Sequence, residues 1–236
     1  MPAWTITHRG PGSRVLRDEQ RTCTQQLVMD SDPVFWQQAL DERAALLKTL
    51  AKSEVGGKLD QLAAMILDAF QGGGRIFLFG NGGSAAAAQH IAAEFVGRFL
   101  NERAPLPAVS LTTDTSVLTA VGNDYGFERM FERQVDALVQ AGDVVIGLTT
   151  SGNSDNVVRG LRAARRRDAR TAALLGRTTG RVGRAVDLAI RVPSNSLPVI
   201  QEIHECFLHL VCESIDRRLT SRTAPSRTQT RRKGRG

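Results

Sequence analysis

Two side chains capable of acid–base chemistry lie one helical turn apart in residues 75–95, RIFLFGNGGSAAAAQHIAAEF. His90 and Glu94 have the spacing i, i+4, which places them on one face of a helix and about 6 Å apart along its axis. The rest of that helix is rich in alanine and other apolar residues, which indicates buried surroundings. An imidazole and a carboxylate at this spacing can serve as an acid and a base, or as ligands of a divalent metal ion.

A second segment, IQEIHECFLHL at 200–210, carries further groups of this kind. It contains Gln201, His204 and His209, so three of the four histidines fall in two predicted helices that can face each other. Gln201 and His209 are about 12 Å apart along a continuous helix, so both reach one ion only through long, converging side chains. His204 is therefore an alternative ligand, and the residues leave a metal site and an acid–base pair both open.

A glycine-rich loop precedes the His90 helix and follows the apolar run RIFLF. A strand that feeds glycines into a helix N-terminus presents free backbone N–H groups, and the helix dipole there favours anions. The loop therefore predicts a phosphate site, to which the Ser84 hydroxyl adds a donor. Its residues are Gly80, Asn81, Gly82, Gly83 and Ser84.

A second loop follows the apolar run DVVIGL and also precedes a predicted helix. It contains one glycine and four hydroxyl side chains, namely Thr149, Thr150, Ser151 and Ser154. In a parallel α/β sheet, the carboxyl ends of the strands lie on the edge where ligands bind. Two such loops on one edge favour a phosphorylated small molecule. Neither loop is followed by a Walker lysine, which argues against nucleoside triphosphate hydrolysis.

Two other interpretations of the first loop remain open. Gly80, Gly82 and Ala85 formally satisfy the dinucleotide-binding pattern G-x-G-x-x-A. The acidic residue expected about 20 residues later is missing, which weakens that interpretation. The other is a tight strand-to-helix turn without a ligand.

The elements that must position these groups alternate between strand and helix. Apolar runs predict strands at 75–79, 107–111, 143–148, 171–175 and 187–192. Helices are predicted between them at 84–100, 128–140 and 153–167, with a last helix at 201–218. Continuous apolar strands separated by helices indicate an α/β fold with a parallel five-stranded sheet covered on both faces. Two amphipathic helices precede the first strand, the first of them capped by Asp32 and Pro33.

Composition bounds the class of protein. The chain has 236 residues, 42% of them hydrophobic, and no run long enough to span a bilayer or to form a secretory signal. The cysteines, Cys23, Cys206 and Cys212, are sparse and lack metal-site spacing, which predicts a cytoplasmic protein.

The net charge of +7 originates at the C-terminus. Eight of the 31 Lys and Arg lie in 217–236, and the other 23 nearly balance the 24 Asp and Glu. We predict a mobile arm at 1–30, one domain at 31–218, and a disordered basic tail at 219–236. The tail is interpreted as solvated, with weak nucleic-acid contact as the alternative.

The motifs together resemble one family. GNGGS with QHIAAEFVGRF, VGNDYGF at 121–127, TTSGNS, and IQEIH with a later histidine are similar to phosphoheptose isomerases, also called sedoheptulose 7-phosphate isomerases, of the sugar isomerase (SIS) superfamily. The likeness covers residues 32–218. It implies a single SIS domain that converts sedoheptulose 7-phosphate to D-glycero-D-manno-heptose 7-phosphate through an enediol, the first step toward nucleotide-activated heptose. It also implies a homotetramer with active sites shared between subunits, packed through the N-terminal and C-terminal helices.

The resemblance also assigns roles to residues. It implies Glu94 and His209 as the acid–base pair and one zinc ion per subunit held by His90, Glu94, Gln201 and His209. It places the substrate against Glu94 and Gln201, and its phosphate in the second loop, at Thr149, Thr150, Ser151 and Ser154. The remaining implied substrate contacts are Asn81, Gly82, Gly83, Ser84, Asn123 and Asp124.

Two positions depart from the family pattern, and one rival function remains. Ala87 stands where many relatives have Asp, and Pro198 stands where a polar residue is usual, in a predicted loop before the last helix. The rival is a non-catalytic SIS protein that binds a replication initiator or senses a sugar phosphate. Proteins that bind the initiator lack the catalytic glutamate and histidine, so Glu94 and His209 favour the enzyme.

Overall fold

Five parallel strands carry the predicted loops at their carboxyl ends. The computed structural model describes residues 33–223, and the strands lie in the order β2-β1-β3-β4-β5. They are β1 Ile76–Gly80, β2 Ala108–Ser110, β3 Val144–Thr149, β4 Arg170–Leu175 and β5 Leu188–Arg191. β1 and β3 are neighbours, with Gly80 opposite Leu148. This register brings the two predicted phosphate loops side by side and confirms the predicted α/β fold.

The first helix is α1 Pro33–Ala51. The later helices connect the strands and cover the sheet, and they are α2 Val55–Gln71, α3 Gly83–Val96, α4 Thr115–Tyr125, α5 Met130–Leu138, α6 Asp155–Arg166, α7 Gly180–Gly183 and α8 Leu197–Thr223. β1 and β3 are buried along their whole length, as their continuous apolar sequences predict. The rings of Phe79 and Phe131 stack with centroids 4.6 Å apart, which joins β1 to α5 within the core.

The chain divides into two compact units between Thr49 and Leu50. The described residues of the first unit are the α1 residues up to Thr49. They expose several large apolar side chains, namely Val34, Phe35, Trp36, Leu40 and Leu47. The second unit contains the whole sheet and both phosphate loops.

The predictions for two helices were wrong. α4 was not predicted, although Asp114 caps it by accepting a hydrogen bond from Val117 N–H at 3.0 Å. α8 begins at Leu197, four residues earlier than predicted, so Pro198 lies in its first turn and not in a loop. Proline is tolerated there because N–H groups of the first turn have no partner within the helix.

α8 also continues to Thr223, five residues beyond its predicted end. The Thr220 hydroxyl donates to the Asp216 carbonyl at 2.9 Å, and no proline interrupts the helix before Pro225. The predicted arm at 1–30, Asp32, Cys23 and the tail from residue 224 lie outside the described residues. Within residues 33–223, no helix combines the length and apolar character needed to cross a bilayer.

Candidate active site

The first loop turns tightly from β1 into α3. Gly82 has φ +56°, a left-handed conformation that favours glycine. A Cβ on Gly80 would lie 2.7 Å from both the Leu148 carbonyl oxygen and the Ser84 Cβ, so a side chain would push the loops apart. The sequence therefore needs glycine here for two reasons: backbone conformation at Gly82 and close approach at Gly80.

The second loop is organised around the hydroxyl of Thr149. Thr149 Oγ1 lies 3.2 Å from Ser154 Oγ and 3.4 Å from Ser151 Oγ, and it accepts a hydrogen bond from Gly152 N–H at 3.3 Å. Thr149 is buried, whereas Ser151 is exposed. The loop thus gathers hydroxyls and backbone N–H groups at the N-terminus of α6, an arrangement suited to a phosphate.

A neighbouring segment supports the second loop from behind. Gly152 and Gly180 both have positive φ, and a Cβ on Gly180 would lie 2.2 Å from the Gly152 carbonyl oxygen. A Cβ on Gly176 would lie 2.2 Å from the Thr150 carbonyl oxygen. This close backbone packing fixes the loop shape before any ligand binds.

An amide pair that the sequence analysis missed ties the two loops together. Asn81 Nδ2 donates to Asn156 Oδ1 at 3.0 Å, and Asn156 Nδ2 donates to Asn81 Oδ1 at 2.8 Å. Asn156 is 2% exposed and belongs to α6. The Asn81 side chain, predicted as a substrate contact, is therefore engaged in joining the loops, and no local signal in the sequence indicated its partner.

Two histidines and a carboxylate converge beside the first loop. His90 Nε2 lies 2.9 Å from His209 Nε2 and 3.6 Å from Glu94 Oε1. One ligand atom from each of the three residues lies within 4.8 Å of the others. α3 supplies two of these groups and α8 the third, so the predicted meeting of the two helices is confirmed. The ring of Phe99 stacks on His209 with centroids 5.6 Å apart and orients it.

The donor set of this cluster fits a divalent metal such as zinc. Two imidazoles and one carboxylate are typical ligands of catalytic zinc, which leaves a further position for substrate or water. The two facing ring nitrogens are at hydrogen-bond distance, with one donating its proton to the other, and without that proton each offers a lone pair to a metal ion. The cluster is also accessible, since the His90 side chain is 43% exposed.

Glu205 is a fourth group near the cluster that the sequence analysis did not single out. Its Oε1 lies 3.8 Å from His90 Nε2. The signal was present, because Gln201, Glu205 and His209 follow one another at intervals of four and so share one face of α8. The i, i+4 rule applied along the whole of α8 identifies it.

Gln201 lies against the first loop. A Cβ on Gly83 would be 2.7 Å from Gln201 Oε1, so the amide packs directly on the start of α3. Gln201 lines a cavity of about 300 Å³ that also contains both departures from the family pattern, Ala87 and Pro198. Ser84 and Glu205 line the same cavity, which therefore reaches from the first loop toward the histidine cluster.

Asn123 and Asp124 lie at the C-terminal end of α4 and are exposed. Asn123 Nδ2 donates to Asp124 Oδ1 at 2.8 Å. No hydrogen bond or ion pair within residues 33–223 joins this exposed pair to the other predicted site residues.

His204, the alternative ligand, does not join the cluster. It is 1% exposed, and its Nε2 lies 3.1 Å from the Leu175 carbonyl oxygen. Burial lowers the pKa of His204 from 6.5 to about 4, partly offset by that hydrogen bond. The side chain is therefore neutral at pH 7 and belongs to the packing between α8 and β4.

We expect the stability of the protein to fall as pH decreases from 6.5 toward 4. Above pH 6.5 His204 is neutral in both states, and below it the unfolded chain takes up the proton first. The free energy of unfolding should lose up to about 3 kcal/mol from this group. Urea unfolding at pH 7 and pH 5, on the wild type and on His204→Gln, measures this change in the free energy of unfolding. An equal decrease between the two pH values in both proteins would contradict the lowered pKa of His204.

Comparisons with known proteins show the family to which the chain is similar. Residues 40–176 match the SIS domain family. The chain is 51% identical over 180 residues to the phosphoheptose isomerase of Pelobacter propionicus, covering 76% of this chain and 95% of that relative. It is 54% identical over 166 residues to the phosphoheptose isomerase of Geobacter sulfurreducens, covering 70% and 88%. The solved phosphoheptose isomerase of Neisseria gonorrhoeae has a TM-score of 0.72 at 42% identity, covering 76% of this chain and 96% of that structure.

Proposed function

This chain belongs to the phosphoheptose isomerases of the SIS domain family, and we propose that its two loops and its histidine–carboxylate cluster form the active site. It is an aldose–ketose isomerase that acts on sedoheptulose 7-phosphate in heptose biosynthesis. The observation that carries the site is the convergence of His90, Glu94 and His209 beside a glycine-rich loop. The product is D-glycero-D-manno-heptose 7-phosphate.

The phosphate of the substrate binds in the second loop. The Thr149 hydroxyl lies within hydrogen-bond range of the Ser151 and Ser154 hydroxyls, so the loop offers clustered donors to phosphate oxygens. Thr150 adds a fourth hydroxyl, and the N-terminus of α6 supplies a favourable dipole. The first loop contacts the sugar through the backbone of Gly82 and Gly83 and through Ser84.

Glu94 and His209 carry the proton transfers. Glu94 removes a proton from C1 of the ketose, and the electron pair forms the C1–C2 double bond of an enediol as O2 takes up a proton. Return of a proton to C2 and loss of the O1 proton then give the aldose. His209 lies on the opposite helix and protonates or polarises the oxygens of the enediol.

A zinc ion fits the cluster, with His90, Glu94, Gln201 and His209 as its proposed ligands. When bound, zinc supplies a Lewis acid that polarises the carbonyl oxygen of the substrate. The carboxylate of Glu94 is then shared between binding the ion and accepting a proton. His90 and His209 are the residues on which metal retention depends most, because neutral imidazoles bind zinc well.

We propose a cytoplasmic homotetramer. The exposed apolar side chains of α1, Phe35, Trp36, Leu40 and Leu47, support packing against other copies. Asn123 and Asp124 are exposed and supply substrate contacts if active sites are shared between subunits. The thiols of Cys206 and Cys212 are free, in keeping with a reducing compartment.

Turnover of sedoheptulose 7-phosphate in deuterated buffer tests the function. Proton NMR is expected to show an aldoheptose 7-phosphate with deuterium at C2, because the returning proton exchanges with solvent. Fructose 6-phosphate serves as the control substrate and should turn over much more slowly. Absence of both turnover and exchange in correctly folded protein would contradict the enzyme assignment.

Metal removal tests the zinc proposal separately. A chelator should lower turnover by about tenfold or more, and added zinc should restore it, because carbonyl polarisation is lost with the ion. Metal analysis of His90→Gln and His209→Gln gives a readout independent of activity, and both should retain less zinc than wild type. Full activity in metal-free protein would contradict a catalytic metal.

A further inference from the structure

A cavity outside the proposed active site is lined almost entirely by arginine. Its volume is about 480 Å³, and it lies between α6 and α7. The residues that line it are Arg162, Arg165, Arg166, Arg181, Arg184 and Ala185. Small-molecule sites commonly have volumes of this order, so the cavity is large enough for a ligand of the size of a nucleotide.

The positive charge of the cavity is only partly compensated by acids. Arg166 pairs with Glu132 at 3.2 Å, and the Arg165–Asp187 pair is longer, at 3.7 Å. Arg162 and Arg184 are exposed and form no salt bridge within 4 Å among residues 33–220, and Arg162 lines an adjoining cavity together with Glu132 and Asp155. Two guanidinium groups with unengaged donors therefore lie in a cavity with no carboxylate among its lining residues.

Guanidinium groups bind phosphate oxygens through paired N–H donors. A single phosphate engages one or two of them, so the two unpaired guanidinium groups with Arg181 beside them favour a ligand with two or more phosphates. The concave shape favours a compact molecule over an extended nucleic acid, and no aromatic ring lines it for stacking bases.

One of the five arginines also holds the second loop, at 149–154, which is the proposed binding site of the substrate phosphate. Arg181 Nη2 donates to the Asn153 carbonyl oxygen at 2.7 Å and pairs with Asp155. The Arg181 backbone N–H donates to Asn153 Oδ1 at 3.0 Å. Asn153 lies between Ser151 and Ser154, so a ligand that draws the Arg181 guanidinium toward the cavity removes a support of that loop.

We propose that the arginine cavity binds a small molecule bearing a diphosphate group, and that its occupancy weakens binding of the sugar phosphate through Arg181. The diphosphate engages Arg162 and Arg184, which form no salt bridge among residues 33–220, together with Arg181. The cavity is then a regulatory site adjacent to the active site, with a ligand distinct from the substrate.

Calorimetric titration tests the site without reference to turnover. Pyrophosphate and ADP are titrated into wild type and into the double variant Arg162→Gln/Arg184→Gln, with inorganic phosphate as the monophosphate comparison. The variant should bind pyrophosphate about tenfold or more weakly, since two charge-assisted contacts are lost. The matched control Arg98→Gln/Arg217→Gln removes two exposed arginines elsewhere and should bind as wild type does.

Kinetics test the coupling. Pyrophosphate should raise the KM for sedoheptulose 7-phosphate in wild type and in the control, and this rise should disappear in the double variant, whose activity without pyrophosphate is unchanged. Equal binding of pyrophosphate by wild type and double variant would overturn the site, since pyrophosphate then binds elsewhere, for example in the second loop. Binding to the cavity without a change in KM would overturn the coupling. Equal affinity for inorganic phosphate, or tighter binding of a short RNA that depends on the same arginines, would overturn the ligand class.

Discussion

Glu94→Gln is expected to lower kcat by about 10²–10⁴-fold, the range typical of lost general acid–base catalysis. Gln has the shape of Glu but cannot accept the C1 proton. The Glu94 side chain is only 23% exposed, and its Oε1 lies 3.6 Å from His90 Nε2. Because Gln and Glu have nearly the same shape, the substitution changes the charge more than the packing. Exchange of solvent deuterium into the substrate should be lost together with turnover.

The control separates the roles of Glu94 as base and as metal ligand. Glu102→Gln makes the same chemical change at a side chain that is 89% exposed, and it should retain wild-type turnover. Zinc content of Glu94→Gln is measured, and the assay is repeated at saturating zinc. Wild-type turnover by the zinc-loaded variant would contradict Glu94 as the base, whereas a persistent defect at full occupancy supports it.

Asp216→Ala is expected to lower the free energy of unfolding by about 3–5 kcal/mol, the usual cost of breaking a buried ion pair from one side. Asp216 is 1% exposed and accepts a hydrogen bond from Arg103 Nε at 2.7 Å. It also accepts from the backbone N–H groups of Leu100 and Asn101 at 3.0 and 3.1 Å. Truncation leaves the Arg103 charge and both N–H groups without their acceptor.

This ion pair also supports the catalytic helix. Arg103 donates to the carbonyl oxygens of Glu94 at 2.7 Å and Phe95 at 2.9 Å, which anchors the end of α3 to α8. Because Arg103 anchors this helix, the loss of stability in Asp216→Ala should be accompanied by lower turnover.

Burial raises the pKa of the nearby Cys212 thiol to about 12, and the charges of Glu94 and Asp216 add to that effect.

Urea unfolding at pH 7 measures the effect of Asp216→Ala. Glu102→Ala breaks the exposed Arg98–Glu102 pair, separated by 3.6 Å, and should cost less than about 1 kcal/mol. Asp216→Asn keeps an acceptor but not the charge, so its loss of unfolding free energy should lie between those of Asp216→Ala and Glu102→Ala. Equal stability of Asp216→Ala and Glu102→Ala would show that the buried pair contributes no more than a surface pair.

Local sequence patterns were sufficient to predict the parallel sheet, the two loops and the types of side chain at the site. The apolar runs at β1 and β3 are buried along their whole length, and each is followed by glycine or hydroxyl residues before a helix. These signals are local, since periodicity and glycine conformation act within a few residues. Parallel pairing then forces both loops to the same edge.

Which side chains meet depends on how the helices pack, and the local sequence patterns did not predict it. His204 and His209 are five residues apart, so they point to different faces of α8, and only the packing of that helix against α3 and β4 selects His209 for the cluster. Asn81 meets Asn156 across 75 residues, and Arg103 meets Asp216 across 113. Contacts of this kind depend on how helices rotate and pack in three dimensions, and the local sequence pattern carries no information about that rotation.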